Sequence, residues 1–381
     1  MRLTIVSFLL LICSSRGASQ SLIRGYLIDS VDRSPIEFAT VYFNGTSTGT
    51  VSDERGYFEL KASRFPQSLV LSHLSYQSEL EYFESAPRDT LRIALRARAL
   101  NLSSVQVVDK DKRQRNVQEF IANFIGLDTF GRSSSLQNPE VLQFERTYEE
   151  RPLRTGLRIV DGLETKRTVR RAKDFFVEAR APLIVKQDQL GYKIRVDLVT
   201  FQLNYGSGLG QGASNFWQGY YFFEPYQNVG KGKQKRFLKN RMRAYYESPQ
   251  HFLKAVFDQN LAVQGYQVFE RVRDEKTRQI RYEAFDLQAY LSYTDKGDLV
   301  LKGLQEKRLE ILYYGDGRGH PKDVTKRAKG LPSQSLIQIL DNQCLIRSDG
   351  TTPGFSLRFG GTMAEKKVGA MLPADYQLPS K

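Results

Sequence analysis

Between Ile23 and Leu95 apolar residues return at every second position in five short runs, and each run is bounded by turn-forming residues. Ile23, Gly25 and Leu27 share one face against Arg24 and Tyr26. Ala39, Val41 and Phe43 do so against Thr40 and Tyr42. Tyr57 and Phe58 enter a third run. Leu69, Leu71 and His73 form a fourth, set against Val70 and Leu74, and Leu91, Ile93 and Leu95 form a fifth. A period of two over four to eight residues belongs to strands, and short strands at near-regular spacing pack as a sandwich. The densest point is Thr50-Val-Ser-Asp-Glu-Arg-Gly-Tyr-Phe-Glu-Leu60, where a polar turn closed by Gly56 predicts a β-hairpin.

Four pieces occur in a fixed order: Pro35 to Asn44, Ser52-Asp-x-x-Gly-x-Phe58, the Leu69–Tyr76 strand, and Leu95-x4-Leu100-x4-Val105-x-Val107. Together they resemble the carboxypeptidase-D regulatory-like module, a transthyretin-like seven-stranded β-sandwich, over roughly residues 22–108. Ser75 stands where that family usually has Gly. The resemblance implies a non-catalytic module, carried at the N-terminus of many envelope proteins of Gram-negative bacteria, including TonB-dependent transporters. In zinc carboxypeptidases it is the companion of the peptidase.

The chain opens with Arg2, the apolar run Ile5–Ile12 and then small polar residues, the order of a secretory signal peptide. Residues 1–19 are read as that signal, with cleavage before Gln20 or Ala18. Cys13 raises a lipoprotein question, but Ile12 sits where a small residue is wanted. After cleavage only Cys344 remains, which leaves no intrachain disulfide and no cysteine-based metal site. No later apolar run approaches the roughly 20 residues of a membrane helix. An exported, periplasmic or outer-membrane-associated protein is expected.

Charge divides what remains. Gln20 to Arg98 carries 9 Lys and Arg against 10 Asp and Glu, while residues 99–381 carry 45 against 32, a net of +13. The basic excess implies an anionic lipid or glycan surface, or an acidic envelope protein, as neighbour. Export weighs against nucleic acid. The expected organisation is a module over 20–98, a linker with an amphipathic helix over 99–135, and a basic α+β domain over 136–381.

In the linker Val117, Phe120, Ile121, Phe124 and Ile125 fit a helix face, with Gly126 as its stop. Tyr192–Phe201, Arg308–Tyr314, Ser335–Ile339 and Gly354–Phe359 read as strands. Ser248 with Pro249 opens a helix expected to run to Gly265. The order Asn138–Leu142, Ala181–Tyr192, Arg241–Phe257 looks like the second half of exported proteins named only for their regulatory-like module. That likeness carries no function.

A catalytic zinc needs three protein ligands, typically His and Glu at close spacing. The three histidines, His73, His251 and His320, have no second His or Glu at ligand spacing. No peptidase motif, metal site or cofactor is read. Gly208-x-Gly210-x-x-Ala213 mimics a dinucleotide fingerprint, but a strand-like run follows it where a helix is required. No Gly-x-Ser-x-Gly elbow or Walker A pattern occurs. Carboxylate pairs such as Glu149-Glu150 need a measured separation before they imply glycoside chemistry.

Two features stand out. Phe216–Tyr226 holds seven aromatics in eleven residues, and Lys231–Arg243 holds seven cations in thirteen. Their adjacency marks Trp217, Tyr220, Tyr221, Tyr226, Lys231, Lys233, Lys235 and Arg236 as a candidate binding surface. The expectation is a non-enzymatic envelope binding or scaffold protein, mainly β, with a β-rich α+β second domain. The alternative is an envelope hydrolase with an unread active site in that domain. A small outer-membrane barrel is disfavoured by the charged strands and the helix near 248–265.

Overall fold

The computed structural model describes residues 21–63, 65–98, 110–160, 163–206, 213–305, 307–316, 320–324, 330–353 and 356–379. The signal segment with Cys13, the positions Leu100, Val105 and Val107, and the glycine-rich run at 207–212 lie outside them. The chain is mainly β and divides into two compact units. The first holds the described residues up to Tyr42 together with Gly49–Arg98, and the second holds Phe43–Thr48 and the described residues from 110 onward.

The first unit is built from β1 (Ser21–Asp29), β2 (Thr40–Phe43), β3 (Gly49–Val51), β4 (Tyr57–Ala62), β5 (Gln67–Ser72), β6 (Glu79–Phe83) and β7 (Leu91–Leu95). They form two sheets, β4-β1-β7 and β3-β2-β5-β6. Ile23, Leu27, Phe58, Leu60, Leu69, Leu71, Ile93 and Leu95 are buried, as the period of two requires. Gly25 faces Phe58 across the β1–β4 ladder, and a Cβ there would lie 2.6 Å from the Phe58 ring.

The Thr50–Leu60 segment is not a hairpin. β3 pairs with β2 and β4 with β1, so the segment carries the chain from one sheet to the other. The motif builds that corner. Ser52 Oγ donates to Ile36 O at 2.8 Å and accepts from Ala39 N at 2.9 Å. Asp53 Oδ1 accepts from Arg55 N and Tyr57 N, and Gly56 at φ +72° lies so close to Leu27 O that any Cβ would clash. The true hairpin is β2–β3, around the Asn44-Gly45 turn. His73 follows β5 rather than lying within it.

In the second unit α1 (Lys110–Phe124) and α2 (Thr129–Arg132) precede β8 (Ser134–Leu136), β9 (Leu142–Val160), β10 (Leu163–Ala179), β11 (Leu183–Gln187), β12 (Tyr192–Asn204) and β13 (Ser214–Pro225). The sheet order is β8-β11-β12-β10-β9. β11 and β10 follow one another along one edge of β12, and β13 takes the opposite edge. α1 lays Phe120 and Phe124 against Phe201 of β12, with ring centroids 5.0 and 6.2 Å apart.

α3 (Lys231–Tyr245) and α4 (Pro249–Phe257) then lead to β14 (Tyr266–Arg273), β15 (Ile280–Ala284), β16 (Leu291–Tyr293), β17 (Leu299–Lys302), β18 (Leu309–Tyr313), β19 (Ser333–Ile339), β20 (Gln343–Ile346), β21 (Leu357–Gly361) and α5 (Thr362–Glu365). These strands form the sheets β15-β14-β18-β19-β21 and β16-β17-β20. Ser248 caps α4 as expected, its side chain accepting from His251 N. The helix stops at Phe257 rather than near Gly265, because Gln259 turns left-handed at φ +52°.

Candidate functional site

β13 sorts the aromatic run by parity. Trp217, Tyr221 and Phe223 fall on one face, where Phe223 is buried and Trp217 and Tyr221 pack against the core. The Trp217 ring meets Phe124 edge-on at 6.0 Å. Burial pushes the Tyr221 phenol up. Trp217 and Tyr221 are therefore core-facing, and the expected aromatic–basic surface is narrower than the sequence suggested. Tyr220 lies on the other face, half-buried. Tyr226 follows the strand and turns toward the helix that comes next.

That helix is α3. A tight turn from Gln187 to Gly191 seats it. Gly191 has φ +72°, and a Cβ there would stand 2.4 Å from the Phe237 ring, so only glycine lets the helix approach. Asn240 Nδ2 donates to Gln189 O at 3.0 Å, and Arg241 Nε donates to Leu190 O at 2.8 Å. The Arg241 guanidinium also lies 4.0 Å over the Tyr192 ring. Tyr226 donates its hydroxyl to Asp188 Oδ1 at 3.0 Å and meets Phe237 edge-on at 6.1 Å. At the far end the Lys366 ammonium donates to the carbonyls of Ala244 and Tyr246, closing the helix, and burial lowers its pKa to about 8.

With Phe237, Asn240, Ala244 and Tyr245 buried, the opposite side of α3 is left to Lys231, Lys235, Lys239 and Arg243, one turn apart. Lys233 and Arg236 flank them, and all six are exposed. Lys233 Nζ lies 5.8 Å from the Tyr226 ring and 5.6 Å from Phe237, which ties the nearest aromatic to the basic face. Leu238 projects among the cations and is 46% exposed. The helix contains no Asp or Glu, and Gly230 gives it no side-chain cap. From Lys231 to Arg243 the row spans about 18 Å at 1.5 Å per residue. Chemically it is a line of fixed positive charge around one apolar side chain. Lys239, Arg243 and Leu238 were not singled out from sequence, because only the helical period brings them into line.

The histidines are placed by packing. His251 is buried; Nδ1 accepts from Glu247 N at 3.2 Å and lies 2.8 Å from Tyr266 Oη, which puts the proton on Nε2, facing Gln264 Oε1 at 3.1 Å. Burial lowers its pKa to about 4. His73 Nδ1 accepts from Ser75 N, and His320 packs against Tyr246. Among the described residues no group of three or more His, Cys, Asp or Glu is arranged to hold a metal ion. Among them, too, no helix is long and apolar enough to cross a membrane, which says nothing of strands.

Residues 23–107 match the model of the CarboxypepD_reg-like domain. No curated protein matches the chain. Among solved structures, a Bacteroides fragilis NCTC 9343 chain described as membrane-associated and of unknown function aligns with 54% of this chain and 97% of its own, at 7% identity and a TM-score of 0.17. A superposition at that score carries no argument for this protein.

Proposed function

We propose that this chain is a non-enzymatic binding protein of the bacterial envelope, exported by the signal at residues 1–19, whose second unit docks on an anionic lipid surface through α3. The observation that carries the reading is the row Lys231, Lys235, Lys239 and Arg243, with Lys233 and Arg236 beside it and no carboxylate on the helix. Cations near a helix N-terminus oppose the helix dipole, so Lys231, which has no ring beneath it as Lys233 does, disfavours the element that carries it. That placement fits retention for an anionic partner. Polybasic elements gain about 1 kcal/mol per cation near an anionic bilayer, and salt screens the gain. Leu238 supplies the apolar contact such elements place among the headgroups. The regulatory-like module fits a carried accessory role.

The test is co-sedimentation with vesicles of anionic phospholipid at low salt. Replacing Lys231, Lys233, Lys235 and Arg236 by Gln should weaken binding at least tenfold, and neutral vesicles should bind neither protein. Equal binding of both proteins to anionic vesicles would sink the proposal.

A further inference from the structure

A second, independent feature lies at the other end of the β8–β13 sheet. The register between β9 and β10 shifts between Ala172 and Phe175, so that Lys173 and Asp174 together stand opposite Thr147. Such a bulge re-aims side chains that a regular ladder would send to opposite faces. Asp174 is then fixed on three sides. Its Oδ2 accepts from Thr147 Oγ1 at 2.9 Å, its Oδ1 accepts from Asn204 Nδ2, and its own N donates to Thr147 Oγ1 at 3.1 Å. The bond from Asn204 holds the carboxyl below its usual range, so it stays an acceptor. Beside it, Tyr205 has its hydroxyl committed inward, donating to Glu119 Oε1 and accepting from Arg146 Nη1 at 2.6 Å. Its ring packs against the core, with the Arg146 guanidinium 5.7 Å over it.

Asp174, Asn204 and Tyr205 line an open cleft of about 430 Å³ together with Glu149, Lys173 and Arg358, the last from β21. The lining is inconsistent with several ligand classes. A lipid tail would find no apolar floor. A phosphate would face Asp174 and Glu149, and a divalent cation would face Lys173 and Arg358. A sugar suits it, because each hydroxyl donates and accepts at once and so matches neighbouring carboxylates, amide and cations. The open shape admits a length of chain rather than an enclosed small molecule.

We infer that the cleft between β9, β10, the end of β12 and β21 is a carbohydrate-binding site that takes a neutral oligosaccharide. The test is isothermal titration of the full chain with neutral hexose and N-acetylhexosamine oligomers of three to five residues, with inorganic phosphate as competitor. Saturable binding of at least one oligomer is expected, undisturbed by phosphate and weakened about tenfold by Asp174→Asn and by Arg358→Ala. Arg358 is exposed on its strand, so its variant tests the site even where Asp174→Asn disturbs the bulge. No saturable binding by any oligomer, unchanged affinity in a folded Arg358→Ala variant, or displacement by phosphate would overturn the inference.

Discussion

Ser52 is buried, with its hydroxyl bridging Ile36 O and Ala39 N. Replacing it with Ala leaves a buried carbonyl and a buried amide without that partner. The expected cost is about 1–3 kcal/mol in urea unfolding, whereas Asp53→Asn, at an exposed turn, should cost less. His251 makes a second prediction at this scale. Its pKa is about 4 in the fold against 6.5 for the free side chain, and burial is the leading cause. Between those values the unfolded chain binds the extra proton, so the His251 contribution is complete above pH 6.5 and lost as pH falls toward 4. The loss is on the order of 3 kcal/mol. Chemical denaturation across pH 4–7 should show that slope, and His251→Gln should flatten it. Both residues were visible in the sequence, but neither role was. The Ser-Asp-x-x-Gly-x-Phe pattern marks a tight turn whether its flanking strands pair with each other or with different sheets. A histidine in a first helical turn gives no sign of the Tyr266 and Gln264 partners, which arrive from 13 to 15 residues on.

At the scale of elements, α3 is held by packing rather than by propensity. Gly191→Ala should therefore unseat it: the methyl meets the Phe237 ring and the backbone is left-handed, for a combined cost of about 1–3 kcal/mol. A fall in thermal stability together with weaker protection of amides 237–245 from exchange would be the signature. Lys231→Gln should act oppositely, raising Tm at low salt by about 1 °C because a cation leaves the positive end of the dipole. A drop in Tm would show that Lys231 supports the fold. The strands around 192–201, 309–313 and 335–339 were legible because their apolar residues alternate. α3 was not, because Leu238 and Met242 break the apolar stripe and cations fill the rest. The long β9–β10 pair was missed for a related reason: 19- and 17-residue strands rich in Arg and Glu carry little alternation. The end of α4 was misplaced because Leu261 continues its apolar spacing after Gln259 has already turned the chain.

Over the whole molecule, charge is unequally shared: the stretch 20–98 is near neutral at −1 and residues 99–381 carry +13. The basic excess was legible from composition, whereas its concentration on one side of α3 required the helix. If that side meets an anionic surface, affinity should fall steeply between low and physiological salt as the Debye length shortens from about 30 Å at 0.01 M to about 8 Å. The most direct measurement places a reporter in the middle of the row. Leu238→Cys, in a chain whose Cys344 is buried, is labelled with an environment-sensitive fluorophore and mixed with anionic vesicles. Docking through α3 predicts a blue shift at low salt that reverses at high salt and is absent with neutral vesicles. An unshifted spectrum on vesicles that nevertheless bind the protein would contradict it.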